Sequence, residues 1–170
     1  MRNAKKRLVL LGALVAAGAA LYVGPQCWIG GPFRIQRTVT EDVSTEQLAH
    51  CSQIMNLTFP PSARPLGLCA TYGMDDVLQL KVEMSRNELQ QFIEASPFAG
   101  AELGRNQIQV YGDSDLRWWN VDELDPYEGK DGQEAFLSEQ TSLPNAEVLN
   151  ILIDVRRDDI VIVYLEWFET

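Results

Sequence analysis

Residues 148–168 read VLNILIDVRRDDIVIVYLEWF, and this stretch decides the fold. Two apolar runs, 148–155 and 160–168, flank the charged tetrapeptide at 156–159. Runs of this length that are rich in Val, Ile and aromatic residues and bounded by polar clusters are typical of β-strands. The stretch therefore predicts a C-terminal antiparallel hairpin with a polar tip. Leu152 and Val155 indicate that the second face of this hairpin is also partly covered.

A second hairpin is predicted upstream, where residues 66–72 follow a proline-rich segment and residues 76–84 follow the turn at 73–75. The second of these runs places Leu78, Leu80, Val82 and Met84 on one face. Alternation with a period of two is the pattern of a half-buried strand. A further strand is predicted near residues 134–140.

Two capping boxes predict two helices. Ser44 with Gln47 opens a helix to about residue 55, and Ser85 with Glu88 opens one to about residue 95. The region from 98 to 132 is less regular, with a short strand at 107–111 and one helical turn at 121–124. Helices separated by antiparallel hairpins predict an α+β fold with one mostly antiparallel sheet and two helices packed on a face.

An N-terminal hydrophobic anchor helix is predicted ahead of this domain. Residues 8–23 carry no charge, and Arg2, Lys5, Lys6 and Arg7 precede them. By the positive-inside rule the basic end stays in the cytoplasm and the C-terminal domain crosses the membrane. A helix of this length spans about 24 Å, less than the hydrocarbon core of about 30 Å.

The N-terminal segment is therefore open to two interpretations. It is either a retained signal-anchor or a signal peptide cleaved at the small residues 17–19. We divide the chain into residues 1–31, the signal segment with a short linker, and residues 32–170, a single acidic extracytoplasmic domain. The domain is membrane-anchored outside the cytoplasm in the first case and secreted in the second.

The charge is distributed asymmetrically along the chain. The whole chain has 14 basic and 24 acidic residues, and four of the basic ones precede the apolar run. The remainder carries a net charge of -14. Nucleic-acid binding is excluded by this balance, because it depends on basic residues that neutralise phosphates. The expected partner of the N-terminal segment is the membrane. The acidic charge of the body indicates either solubility or a basic protein partner.

Histidine and cysteine content removes most catalytic and metal chemistry. His50 is the only histidine, and the three cysteines, Cys27, Cys51 and Cys69, have no CxxC spacing. No catalytic residue, cofactor or metal site is predicted. A Cys51–Cys69 disulfide would close a loop worth about 3 kcal/mol, whereas the alternative is that Cys51 is a buried thiol on a helix.

Residues 111–134 combine many acidic residues with the pair Trp118-Trp119. Asp113 and Asp115 could bind a hard cation such as calcium, or carboxylates of this segment could hydrolyse a glycan. A third interpretation is a docking surface, whose candidate binding residues are Trp118, Trp119, Asp113, Asp115 and Arg117. The structural alternative is that one tryptophan fills the open side of the sheet and the other stays at the domain edge.

The order of motifs resembles uncharacterised bacterial membrane-anchored or lipoprotein-type domains over residues 40–170. The motifs are a capped helix, FPPSAR, GMDDVLQLKVEM, a second capped helix, LRWW and the closing VYLEWFET. This resemblance implies a fold and a location but no activity. The sequence thus predicts a membrane-tethered extracytoplasmic binding or structural module. The alternatives are an immunity-type neutraliser of a basic toxin and a small carboxylate-dependent envelope hydrolase.

Overall fold

The computed structural model describes residues 36–73, 75–105, 110, 113, 115–124 and 135–169. The predicted anchor helix within residues 1–31 and most of the predicted strand at 107–111 lie outside these ranges. Across the described ranges, no helix has both the length and the apolar character needed to span a membrane.

The described part contains seven β-strands and two α-helices. The strands are β1 Gln36–Thr40, β2 Arg64–Tyr72, β3 Val77–Ser85, β4 Gly104–Arg105, β5 Phe136–Ser142, β6 Glu147–Asp154 and β7 Ile160–Glu169. The helices are α1 Thr45–Ile54 and α2 Leu89–Glu94. Short 3-10 helices occur at Arg86–Glu88, Asn120–Glu123 and Pro144–Ala146.

All seven strands form one sheet in the order β1-β2-β3-β7-β6-β5-β4, and each neighbouring pair is antiparallel. The β2–β3 and β6–β7 hairpins are those predicted from the sequence. β2 begins two residues earlier than predicted, and its register shifts between Pro65 and Gly67. The α+β class with one antiparallel sheet and two short helices is confirmed.

Both helices cover one face of the sheet, and the larger core lies between the helices and this face. α1 contributes Cys51, and Met55 follows at its C-cap, while α2 contributes Phe92. The Phe92 ring stacks on that of Phe59 with a centroid distance of 5.7 Å. Val155 packs in this helix-side core. The prediction that it marks cover on the second face was therefore wrong for Val155, although Leu152 does lie in a core on that face.

Only the first of the two predicted capping boxes is present. The Ser44 hydroxyl accepts from the Gln47 N–H at 3.2 Å, and the Gln47 side chain accepts from the Ser44 N–H at 2.9 Å. At the second helix the Ser85 side chain makes no capping bond. The Ser62 hydroxyl instead accepts from the Ser85 N–H at 2.9 Å and donates to the Glu88 carboxylate. The chain enters α2 through the 3-10 turn Arg86–Glu88.

Candidate functional site

The face of the sheet opposite the helices is covered by residues 115–124, which we call the cover segment. Its Trp119 is 1% exposed and packs edge-on against Tyr164 of β7, with a ring-centroid distance of 5.4 Å. Leu116, Val121 and Leu124 are also buried in this second core. The acidic, aromatic segment identified in the sequence is therefore in part a structural layer.

Trp118 is only half-buried and lies over β2 at Gly67. A Cβ atom at Gly67 would lie 2.4 Å from Trp118 Cδ2, a distance that real contacts do not show. Glycine is therefore required for this close approach. The rings of Trp118 and Trp119 meet edge-on with their centroids 5.7 Å apart. As expected, only one of the two tryptophans is fully buried, although Trp118 lies in a turn and not on the extended chain that the expectation assumed.

Lys81 of β3 holds the middle of the cover segment. Its Nζ donates to the Trp118 carbonyl at 2.7 Å and to Asn120 Oδ1 at 2.6 Å. It also lies 4.8 Å from the centroid of the Tyr164 ring, whose hydroxyl donates to the same Asn120 oxygen at 3.2 Å. The helical turn predicted at 121–124 forms immediately after this contact, as the 3-10 helix Asn120–Glu123.

Asp113 and Asp115 are brought together by the guanidinium of Arg37 on β1. Arg37 donates to Asp113 Oδ2 and lies 3.6 Å from Asp115 Oδ2, and its Nε donates to Cys69 Sγ at 3.4 Å. The contact with Cys69, and then the charges of the two carboxylates, raise the pKa of Arg37 despite partial burial. The two acids therefore bridge β1 to the cover segment.

Across the described residues, no group of three or more His, Cys, Asp or Glu side chains is arranged to hold a metal ion. Arg117, the fifth candidate binding residue, is exposed on the cover segment. Of the five candidates, Arg117 and Asp115 are thus exposed, Trp118 and Asp113 are partly buried, and Trp119 is in the core.

A buried polar row, not recognised from the sequence, crosses the same face of the sheet. Glu166 of β7 accepts from Gln79 of β3 at 3.2 Å and from Asn150 of β6 at 3.3 Å. Asn150 in turn accepts from Gln140 of β5 at 2.9 Å. Glu166 is 3% exposed and Asn150 is fully buried. The signal was available, because Asn150 and Glu166 interrupt the two apolar runs of the C-terminal hairpin.

The two described cysteines are free thiols on opposite faces of the sheet. Cys51 lies in the helix-side core, and Cys69 lies in the core under the cover segment. Of the two alternatives, the Cys51–Cys69 disulfide is therefore not present, because the sheet lies between the two side chains. The alternative, a buried thiol on an α1 face, is what is found. Burial raises the pKa of the Cys51 thiol to about 11.

A pocket of about 130 Å³ opens between α1 and strands β1 to β3, and we call it the edge groove. Its lining residues are Thr38, Thr40, Gln47, His50, Cys51, Leu68, Ala70, Tyr72 and Leu78. Tyr72, which is 41% exposed, and Val39 of β1, which is 48% exposed, are the large hydrophobic side chains most open to solvent among the described residues. Little in the sequence indicates this groove, because β1 is a short and mostly polar strand.

Comparison with known proteins identified no relative of this chain. No family model matches it, and neither the curated proteins nor the solved structures contain a match.

Proposed function

We propose that this chain is a membrane-tethered binding or structural module whose acidic domain lies outside the cytoplasm. The observation that carries the proposal is the charge order along the chain. Four basic residues precede sixteen uncharged ones at 8–23, and a body with a net charge of -14 follows. Such an order directs the basic end to the cytoplasm and the following domain across the membrane.

The side-chain contacts of the domain support an acidic binding surface. Several basic side chains are held by internal contacts: Arg37 by Asp113, Arg64 by Glu83 at 2.9 Å, Arg156 by Asp154 at 2.8 Å, and Arg86 by the carbonyls of Val155 and Arg157. Many acidic side chains are exposed instead, among them Glu41, Asp42, Glu46, Asp75, Asp158 and Asp159. A negative surface of this kind repels anionic lipid headgroups and attracts basic proteins.

Among the described residues, the positions of Asp113 and Asp115 favour binding over the hydrolase alternative. A glycosidase needs two carboxyl groups that face a substrate cleft from opposite sides. Asp113 and Asp115 instead approach the same guanidinium and join the cover segment to β1. The immunity-type alternative is one form of the binding proposal, in which the basic partner is a toxin.

A topology reporter on the full chain tests the proposal. We expect a C-terminal fusion to an enzyme that is active only outside the cytoplasm to be active, and the chain to remain in the membrane pellet at alkaline pH. Replacement of Arg2, Lys5, Lys6 and Arg7 by glutamate should abolish the reporter activity, because it removes the orienting charge. The matched control, Arg117→Gln with Arg157→Gln, removes exposed charge from the body and should leave the reporter active. A wild-type C-terminus in the cytosol would refute the proposal.

A further inference from the structure

β1 forms one edge of the sheet, and among the described residues no strand pairs with its outer side. An edge strand presents alternate backbone N–H and C=O groups that can pair with another extended chain. The exposed Val39 on this strand adds an apolar contact beside these groups. The edge is therefore competent for strand addition, a common mode of peptide recognition.

The edge groove lies directly beside this edge. Thr38 and Thr40 point from β1 towards α1, where Gln47 and His50 form the opposite wall. A volume of about 130 Å³ is close to that of an engineered protein cavity of about 150 Å³ that binds benzene. The groove therefore has room for one apolar side chain of a Leu or Phe residue. On an added strand every second side chain would point to this face, so one residue could enter the groove while its neighbours point away.

Acidic residues lie at both ends of the edge. Glu41 and Asp42 follow β1 directly, Glu46 lies in the first turn of α1, and all three are exposed. At the other end Tyr72, which is paired with Gln36, leads into the turn that contains the exposed Asp75. The positive charge of β1 is directed elsewhere, because Arg37 lies on the opposite face with Asp113.

We infer that the edge groove binds an extended segment of a basic protein, which adds to β1 as a strand and places one apolar side chain between β1 and α1. This inference rests on the proposed binding function and names its ligand class. A second copy of the chain is the less suitable occupant, because pairing two β1 edges would bring the same acidic ends and two strongly negative bodies together.

Fluorescence anisotropy with the full chain in micelles of an uncharged detergent tests the inference. The probe is a labelled peptide of about nine residues that alternates threonine with other residues, has a central leucine and carries lysine at both ends. We expect it to bind. Replacing the central leucine by aspartate, or the lysines by glutamate, should each weaken binding by about tenfold or more, which corresponds to the loss of one buried apolar side chain or of the charge complementarity.

Variants of the chain locate the binding site. Thr38→Phe fills the groove from an exposed strand position and should weaken binding by about tenfold or more, whereas Thr38→Val has nearly the same size and should not. Both variants should keep the far-UV circular dichroism and urea midpoint of the wild type. Replacing the three acids together, as Glu41→Gln, Asp42→Asn and Glu46→Gln, should weaken binding and reduce its salt dependence. The matched control, Asp158→Asn with Asp159→Asn at the tip of the β6–β7 hairpin, should have little effect.

Three outcomes would overturn the inference. The first is a folded Thr38→Phe chain that binds the lysine peptide as well as the wild type does. The second is an equal loss of binding in the hairpin-tip control, which would indicate non-specific attraction by charge. The third is a wild-type chain that is dimeric by light scattering and becomes monomeric on Thr38→Phe without binding peptide, which would identify a second copy as the occupant. Absence of peptide binding by a chain with the predicted topology would also refute the inference, while leaving the tethering proposal intact.

Discussion

Replacement of Gly67 by alanine tests whether the cover segment is held against the sheet. The new Cβ would lie 2.4, 2.5 and 2.8 Å from three atoms of the Trp118 indole, whereas ordinary contact begins at 3.4 Å. The ring would therefore have to move by about 1 Å. Trp119 at its edge and the bond from Lys81 to the Trp118 carbonyl oppose that movement. Insertion of extra carbon into a packed contact of this kind costs about 1–3 kcal/mol.

The double-mutant cycle with Trp118→Ala separates this clash from other effects. Without the indole, Gly67→Ala should be neutral or stabilise the chain by about 0.5–1 kcal/mol, because glycine is entropically unfavourable within a strand. The coupling free energy between the two positions should then be about 1–4 kcal/mol. Urea denaturation of the four full-length chains, followed by circular dichroism at one pH, measures it. Additive effects, or a cost of less than about 0.5 kcal/mol for Gly67→Ala alone, would refute the described packing of Trp118.

Three further predictions concern the core, the cover segment and α1. Because burial raises the pKa of Cys51 from 9.0 to about 11, the folded chain keeps this proton at a pH where the unfolded chain has lost it. The difference in free energy of unfolding between wild type and Cys51→Val should therefore change against the wild type by about 1.4 kcal/mol per pH unit between pH 9 and 11. Urea melts in which this difference stays constant with pH would contradict the prediction. Lys81→Met keeps the aliphatic stem but leaves the Trp118 carbonyl without this donor. The free energy of unfolding should therefore fall by about 2 kcal/mol. A urea melt unchanged from that of the wild type would exclude the bridging role of Lys81. Ser44→Ala should cost about 1 kcal/mol through loss of the capping box, whereas Ser85→Ala, whose side chain makes no capping bond, serves as its control in the same assay.

The sequence predicted the helix-side half of the fold because apolar alternation identifies that face directly. Leu78, Leu80 and Val82 are buried as expected, and the capping box at Ser44 begins α1 where predicted. The opposite face could not be read in the same way. Its residues on β3 are polar. Gln79 is nevertheless buried, with 7% of its surface exposed, because its side-chain amide donates a hydrogen bond to Glu166. A polar residue facing solvent and one buried in a hydrogen-bonded row have the same sequence signal.

The candidate site was predicted only as far as neighbouring residues determine it. The clustering of Asp113 with Asp115 follows from their spacing, but their partner Arg37 lies 76 residues from Asp113 in the chain. Such a contact depends on sheet order, which local patterns do not specify. For the same reason β1 cannot be recognised from the sequence, since five residues with one large apolar side chain carry no periodic signal. The edge groove becomes visible only after β1 has joined β2.

The row formed by Gln140, Asn150, Glu166 and Gln79 also selects how the strands align. On the helix side β6 and β7 present aliphatic side chains at almost every position, so sliding one strand by two residues would still match apolar with apolar. On the other side the same slide would place Glu166 opposite Leu152 or Val148 and leave a carboxylate buried without the Asn150 amide. The apolar face of the sheet stabilises the pairing of these strands but does not specify their register. Glu166 and its amide partners favour one register over the alternatives.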